Sequence, residues 1–523
     1  MNGAGFYRST TGWVFAGILF LGLLAMTART ATDPDLWWHL RTGQWIVETR
    51  HIPHTDPFSL TREGGPWISH EWLSEVLFYE LWKVAGGGPP IALIVFSSLV
   101  TTAGFLLLYW RCPASPQWAA TATVLGAYAS APCWGVRPQM FTFLLGSLLL
   151  FLLERAEHRP VLLLLVPPLF LLWLNLHGGF ALGPALLVLY GGGLVLEGLA
   201  GTAPWREIRP LLGRVLSVTL ACLVLVPLNP SGVRLYLYPI YAIGDSEIRS
   251  VIVEWFSPDF HRSMYFPFLL VLLLLVGGLG WSRSHPRARV LVPLIFMLMA
   301  ALDAVRHVPI FILLAIPVLA SVLSATFPTA IAATRGRRPR LRMISISGAL
   351  AMLGVFAVWR FADLAHSQTQ READLFPARA VAYLRANDMP PRLFTYYDWG
   401  GYALWNLYPQ YRTFADGRAD LYGDVLLKQA ARTVPDLRNG WRTVLDDWNI
   451  QTILVPSDAA LAQGLFLDSG WSARYSDSQA VIFVRNRLVE SSETGVSGGP
   501  GSGPGTPLWA GVTSGTIVKI VRK

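Results

Sequence analysis

The sequence predicts an all-α polytopic transmembrane bundle followed by a small α/β domain. Three observations carry this reading. Only 14% of the 523 residues are charged, against about 25% in a soluble globular chain, while 53% are hydrophobic and mean hydropathy is +0.43. Eleven apolar runs each approach the roughly 20 residues that cross a hydrocarbon core. After residue 361 the charge rises and the apolar segments shorten. This composition excludes a disordered chain, a nucleic-acid arm and an ordinary soluble enzyme. Cys112, Cys133 and Cys222 have no paired spacing, so neither a disulfide framework nor a zinc site is implied.

The runs fall at 11–29, 89–110, 117–134, 138–154, 159–175, 178–199, 211–229, 264–282, 288–305, 307–328 and 342–361. Boundaries are softest between 138 and 200, so the count lies between ten and twelve. No small-x-small cleavage site follows the first run, which reads as an uncleaved anchor. With the N-terminus in the cytoplasm, the inner loops carry Arg111, Arg155 and Arg159, Arg206 to Arg214, Arg283 to Arg289, and Arg335 to Arg342. The opposite short loops hold only Arg137 and Arg306. This is the positive-inside pattern of a multi-pass inner-membrane protein. The net charge of +9 is therefore mostly topological arginine and needs no nucleic-acid partner.

The orientation places three large pieces outside. Within a membrane domain of residues 1–361 these are a first loop at 30–88 and a second at 230–263; a domain at 362–488 follows. Residues 489–523 are rich in Gly, Ser and Pro and read as a flexible tail. In 362–488, expected helices at 376–387, 400–407, 424–433 and 439–449 alternate with strands at 392–397, 411–415, 452–456 and 480–484, an α/β pattern. Asp416-Gly-Arg-Ala-Asp-Leu-Tyr-Gly-Asp does not fit a calcium loop and reads as a turn or a carbohydrate-facing segment.

The first loop opens on Asp33-Pro-Asp-Leu-Trp-Trp-His-Leu-Arg. Its apolar positions predict an interfacial helix over 36–49, with Trp37, Trp38 and Trp45 toward lipid or headgroups. Asp33 and Asp35 then serve as an N-cap pair, as oxygen ligands for a divalent cation, or as a base toward a hydroxyl. His70 and Glu71 open a second helix over 70–84 without the second histidine of a zinc-protease motif.

The Asp-x-Asp of the first loop, the aromatic-His39-Leu-Arg helix and the turn Ile52-Pro-His-Thr-Asp-Pro-Phe resemble the GT-C superfamily of polytopic glycosyltransferases that use polyprenyl-phosphate-linked sugars. The similarity extends to the oligosaccharyltransferase catalytic subunit and to related bacterial transferases. Ser250-Val-Ile-Val-Glu254-Trp resembles a catalytic-loop motif, Ala304-Val-Arg306-His307 a phosphate-contacting arginine, and Tyr396-Tyr-Asp398-Trp399-Gly an acceptor-recognition motif. The resemblance implies a GT-C-like bundle and extracytoplasmic transfer of a sugar to a glycan, lipid or protein acceptor. It implies Asp35 or Asp33 as base and Glu254 completing a Mg or Mn site with Asp35 or orienting the acceptor. Arg306 would contact phosphate, helped by His307, His177 and Arg137. His39, His70 and Glu71 join the substrate-binding candidates, with Asp398 and Trp399 toward the acceptor. Two departures bear on this. The loop Ala131-Pro-Cys-Trp-Gly-Val-Arg-Pro has no acid for a metal, and Tyr-Tyr-Asp-Trp is not Trp-Trp-Asp-Tyr. Both point away from sequon recognition and toward a monosaccharide transferase or ligase.

No P-loop or dinucleotide fingerprint occurs, so no nucleotide cofactor is expected. A rival reading is a transporter or flippase of lipid-linked sugars, which would place ionisable groups at the bilayer midplane. Another is a non-catalytic scaffold or sensor of the same fold.

Overall fold

The computed structural model describes residues 10–244, 246–282, 285–327 and 339–486; the tail expected at 489–523 lies outside them. All eleven apolar runs form helix. Eight of these helices are long and apolar enough to cross a membrane, among them Thr10–Thr27, Ile91–Arg111, Gln139–Ala156 and Val305–Thr326. Pro116–Ser130, Pro160–Leu176 and Ala288–Asp303 are shorter.

Burial separates two kinds of helix. Val308–Thr326 buries nearly every side chain from Val308 to Val322 and runs through the middle of the bundle, as a helix apolar on all sides must. Leu216, Leu220, Val224, Leu273, Val276, Val355 and Val358 are exposed on three other candidate spans, which is where lipid contacts belong.

At one end of the bundle the first loop folds into two closely packed helices that run in the same sense, Asp35–Thr49 and Trp72–Val84. Gly43 sits where a Cβ would overlap the Glu75 carbonyl, so the helices approach backbone to backbone. The first helix stops at Arg50, whose left-handed backbone (φ 58°) lets its N–H reach the Ile46 carbonyl at 2.8 Å. Trp37 and Trp38 do not face lipid. Trp37 is buried between Phe376 and Tyr402, and the Gly400–Leu407 helix covers this face. The apolar residues of 36–47 extend around the helix because it is covered on two sides.

Residues 392–485 carry a five-stranded sheet, order β2-β1-β3-β5-β4: β1 Arg392–Thr395, β2 Arg412–Thr413, β3 Thr452–Pro456, β4 Trp471–Ser476 and β5 Ala480–Arg485. β1 runs parallel to β2 and β3; β5 is antiparallel to β3 and β4. Helices cover it, including Ala419–Arg432 and an unexpected Ala460–Phe466. Both loops dock on this region. Thr61 donates to the Phe414 carbonyl at 2.7 Å, Arg62 to the Tyr422 carbonyl at 2.6 Å, and Arg432 to Glu247 at 2.8 Å.

The Asp416–Arg418 turn is not solvent-facing. Arg418 bridges Asp416 at 2.6 Å and Asp56 at 2.8 Å, with side-chain exposures of 1%, 0% and 0%. Phe58 and Trp67 lie 5.3 and 4.6 Å from its guanidinium. A buried arginine needs such partners, and the first loop supplies one.

Candidate functional site

Arg137 precedes the Gln139–Ala156 helix at the end where the loops gather. It meets three acids. Its Nε lies 3.2 Å from Asp33, its Nη2 donates to Asp35 at 2.6 Å, and its Nη1 donates to Glu254. The other oxygens also have donors: Asp33 accepts the Asp35 N–H at 2.9 Å, Asp35 the Trp38 indole N–H at 3.1 Å, and Glu254 the Gln139 amide at 3.2 Å. Asp33 thus caps the helix start, and Asp35 is its first residue rather than a second cap. Burial pushes Asp35 up, Arg137 pulls it down, and Asp33 and Glu254 push it back to about 7. Asp33 is also raised, chiefly by burial, whereas Glu254 is held low because Arg137 and Arg306 outweigh burial.

A second cluster surrounds Glu71. His70 Nε2 lies 3.2 Å from its carboxylate, His177 Nε2 3.5 Å and His39 Nε2 3.7 Å. The His177 Nδ1 accepts the Gly179 N–H at 3.0 Å and the Thr142 hydroxyl at 2.6 Å, which leaves the proton on Nε2, facing Glu71. Burial pushes Glu71 up, but His70 and His177 outweigh it and hold the carboxyl low. Burial pushes His70 down, yet Glu71 holds it up at about 9. His39 falls to about 3 by burial, and Glu75, 3.7 Å from its Nδ1, rises to about 8 by burial and the Glu71 charge.

The two clusters line a polar cavity of about 610 Å³, together with Arg306, Tyr238, Tyr396, Tyr397, Asp398 and Asp420. A neighbouring cavity of about 530 Å³ is more apolar, lined by Trp134, Met140, Phe143, Leu182, Phe296 and Ile310 among others. Arg137, Gln139, His177, Tyr238, Glu254 and Arg306 line both. Arg306 stacks 4.4 Å from the Trp255 ring, and no carboxylate among the described residues pairs with it. Asp303 pairs with Arg249 at 2.9 Å instead. His307 lines the apolar cavity, its Nδ1 3.1 Å from the Ala300 carbonyl.

Of the sequence-derived candidates, Asp33, Asp35, His39, His70, Glu71, Arg137, His177, Glu254, Arg306 and Asp398 therefore converge. Trp399 does not line the cavity. It is buried, and its indole N–H donates to the Leu375 carbonyl at 2.9 Å. Sequence reasoning passed over Gln139, Tyr238, Glu75, Asp420 and Gly417. A Cβ at Gly417 would overlap the Asp35 carboxylate, so the Asp416–Arg418 turn forms part of that residue's surroundings. The signal for Gly417 and Asp420 was the acid-rich stretch that holds them; nothing marked Gln139 or Tyr238.

A divalent ion on Asp35 and Glu254 does not fit this arrangement. Arg137 lies between the two carboxylates, every oxygen of the three acids already has a donor, and no group of three or more His, Cys, Asp or Glu among the described residues is placed to hold a metal.

No protein-family model and no curated protein matches the sequence. Solved structures match in three dimensions. The oligosaccharyltransferase AglB from Archaeoglobus fulgidus, in complex with an inhibitory peptide and a dolichol-phosphate, covers 92% of this chain and 75% of its own, at 12% identity and a TM-score of 0.54. The apo form of the Archaeoglobus fulgidus oligosaccharyltransferase covers 91% and 75%, at 13% identity and 0.53. The chain has the GT-C fold. ArnT from Cupriavidus metallidurans, bound to undecaprenyl phosphate, covers 92% and 99% at 15% identity and 0.49. The bundle with its appended sheet is the architecture of the two Archaeoglobus fulgidus structures.

Proposed function

We propose that the protein is an integral membrane glycosyltransferase that moves a sugar from a polyprenyl-phosphate-linked donor to an acceptor hydroxyl or amide on the extracytoplasmic face. The observation that carries this is the pair of adjoining cavities, one apolar and one polar, sharing Arg137, Glu254 and Arg306. A lipid chain suits the first and an acceptor the second. They meet at a carboxylate cluster and at Arg306, which forms an ion pair with no carboxylate among the described residues. The dolichol-phosphate in the AglB complex, a protein of the same fold, is consistent with a lipid donor. The arginine-rich loops set the side of the membrane.

In this reading the acceptor O–H (or N–H) attacks the anomeric carbon, the bond from that carbon to the phosphate oxygen breaks, and the lipid phosphate departs with the electron pair. Asp35, poised near neutrality, takes the acceptor proton; such a base is most effective with a pKa close to the working pH. Asp33 positions Asp35 through its backbone amide. Arg306, planar and permanently charged, compensates the phosphate. The Glu71 histidines and Asp398 line the acceptor side.

The test is transfer by the full-length protein in membranes supplied with polyprenyl-phosphate sugars. Asp35→Asn is expected to lower the rate by roughly 10²–10⁴-fold and Arg306→Ala by roughly 10²–10³-fold. The wild-type rate should rise with pH through about 7 as Asp35 ionises. Wild-type rates in both variants would overturn the roles assigned.

A further inference from the structure

We propose that Arg137 is the fixed cation of the acid cluster, set where a divalent ion would otherwise bridge Asp35 and Glu254, so that transfer needs no such ion. This rests on the reading above. The geometry is that of a hub. Three nitrogens of one guanidinium each face a different carboxylate: Nε Asp33, Nη2 Asp35 and Nη1 Glu254. The three remaining oxygens are held by the Asp35 amide, the Trp38 indole and the Gln139 side chain. A dication draws its oxygen ligands to one centre, at roughly 2.0–2.6 Å. A planar guanidinium instead spreads them around its edge, with directed hydrogen bonds. The six oxygens here follow the second pattern.

Arg137 is also held in place. Pro138 and the Gln139–Ala156 helix follow it directly, and Gln139 from the first turn of that helix grips the same glutamate. One positive charge among three acids leaves a negative surplus. Arg137 is thus a positioning residue that sets the orientation of Asp35 and Glu254. The phosphate is left to Arg306, whose guanidinium forms an ion pair with no carboxylate among the described residues.

The test is a Mn²⁺ titration of the purified full-length protein in lipid nanodiscs, followed by electron paramagnetic resonance. The wild type is expected to show no bound Mn²⁺ that Glu254→Gln removes. Arg137→Ala is expected to gain one Mn²⁺, lost again when Glu254→Gln is added. In the transfer assay, EDTA should leave the wild-type rate unchanged. Arg137→Ala should lose at least ~10²-fold and recover in part with Mn²⁺ or free guanidinium, which a purely structural defect would not do.

A wild-type Mn²⁺ site sensitive to Glu254→Gln would overturn the proposal, as would EDTA-abolished transfer restored by Mn²⁺. So would a folded Arg137→Ala variant that binds no Mn²⁺. If that variant does not fold, the wild-type titration and the EDTA arm decide. A wild type that transfers no sugar from any polyprenyl donor would sink the glycosyltransferase reading, while the Mn²⁺ titration would still decide the cation's place.

Discussion

Two arginines in this protein gather acids from distant parts of the chain, and their surroundings differ. Arg418 joins Asp56 of the first loop to Asp416, all three closed off at 0–1% exposure beneath Phe58 and Trp67. Arg137 joins Asp33, Asp35 and Glu254 at side-chain exposures of 19–34%, on the surface of a cavity. The first cluster has no room for another molecule and acts as a joint. The second keeps the same chemistry open, with a surplus of acid to spend on a reaction. Accessibility, rather than residue type, separates a fastening from a site.

The sharpest way to break this contrast is at the joint. Arg418→Ala leaves two buried carboxylates without their cation and is expected to destabilise the fold by roughly 3–5 kcal/mol, read as a lower unfolding midpoint in detergent. Asp35→Asn is expected to leave that midpoint nearly in place and to move activity instead. If the two variants exchanged behaviours, the division into joint and site would be wrong. An intermediate effect is expected at Gly417→Ala, where the new methyl overlaps Asp35. Overpacking of this kind costs roughly 1–3 kcal/mol, and it should appear in transfer rate and in stability together.

The smallest effect is on pH dependence. His70 is held up at about 9, above its ordinary 6.5, so its pairing with Glu71 contributes fully below about pH 6.5 and is lost as pH rises through 9. Glu75, held up at about 8, works in the same direction, because the folded chain binds protons that the unfolded chain has released. Thermal midpoints should therefore fall between pH 6.5 and 9. His70→Gln should flatten the His70 part of that slope, and an unchanged slope would remove His70 from the account.

The bundle was legible because lipid imposes a strong demand on composition: every apolar run became helix. The site was legible in part. Arg306 stands out as an ionisable group at the outer end of an apolar run, and Asp33, Asp35 and Glu254 through long-loop motifs that resemble the GT-C superfamily. Their link through Arg137 did not, since one arginine in a short loop carries no mark of the three acids it holds. The aromatic helix expected over 36–49 reads as interfacial because its apolar residues suit lipid and protein equally; only the C-terminal region lying over Trp37 decides between them. The Asp56–Arg418 pair was invisible for a similar reason, its members being far apart in the chain. β4 is an edge strand, largely exposed, and its alternation of Trp471, Ala473 and Tyr475 with polar residues is a strand signal that the expected pattern left out. Trp399 belongs to a motif that resembles one for acceptor recognition, whereas its indole N–H donates to the Leu375 carbonyl.

The contact between Gly417 and Asp35 has a consequence for when the protein becomes competent. During synthesis the ribosome delivers every membrane-spanning helix before residue 392, so a nascent chain stopped there is fully inserted but lacks the turn that lies against Asp35. The Asp35 carboxylate is then still open to bulk water, away from Tyr396, Tyr397 and Asp398. The surroundings of Asp35 are thus completed late, only after the Asp416–Arg418 turn has been translated and has closed on the first loop.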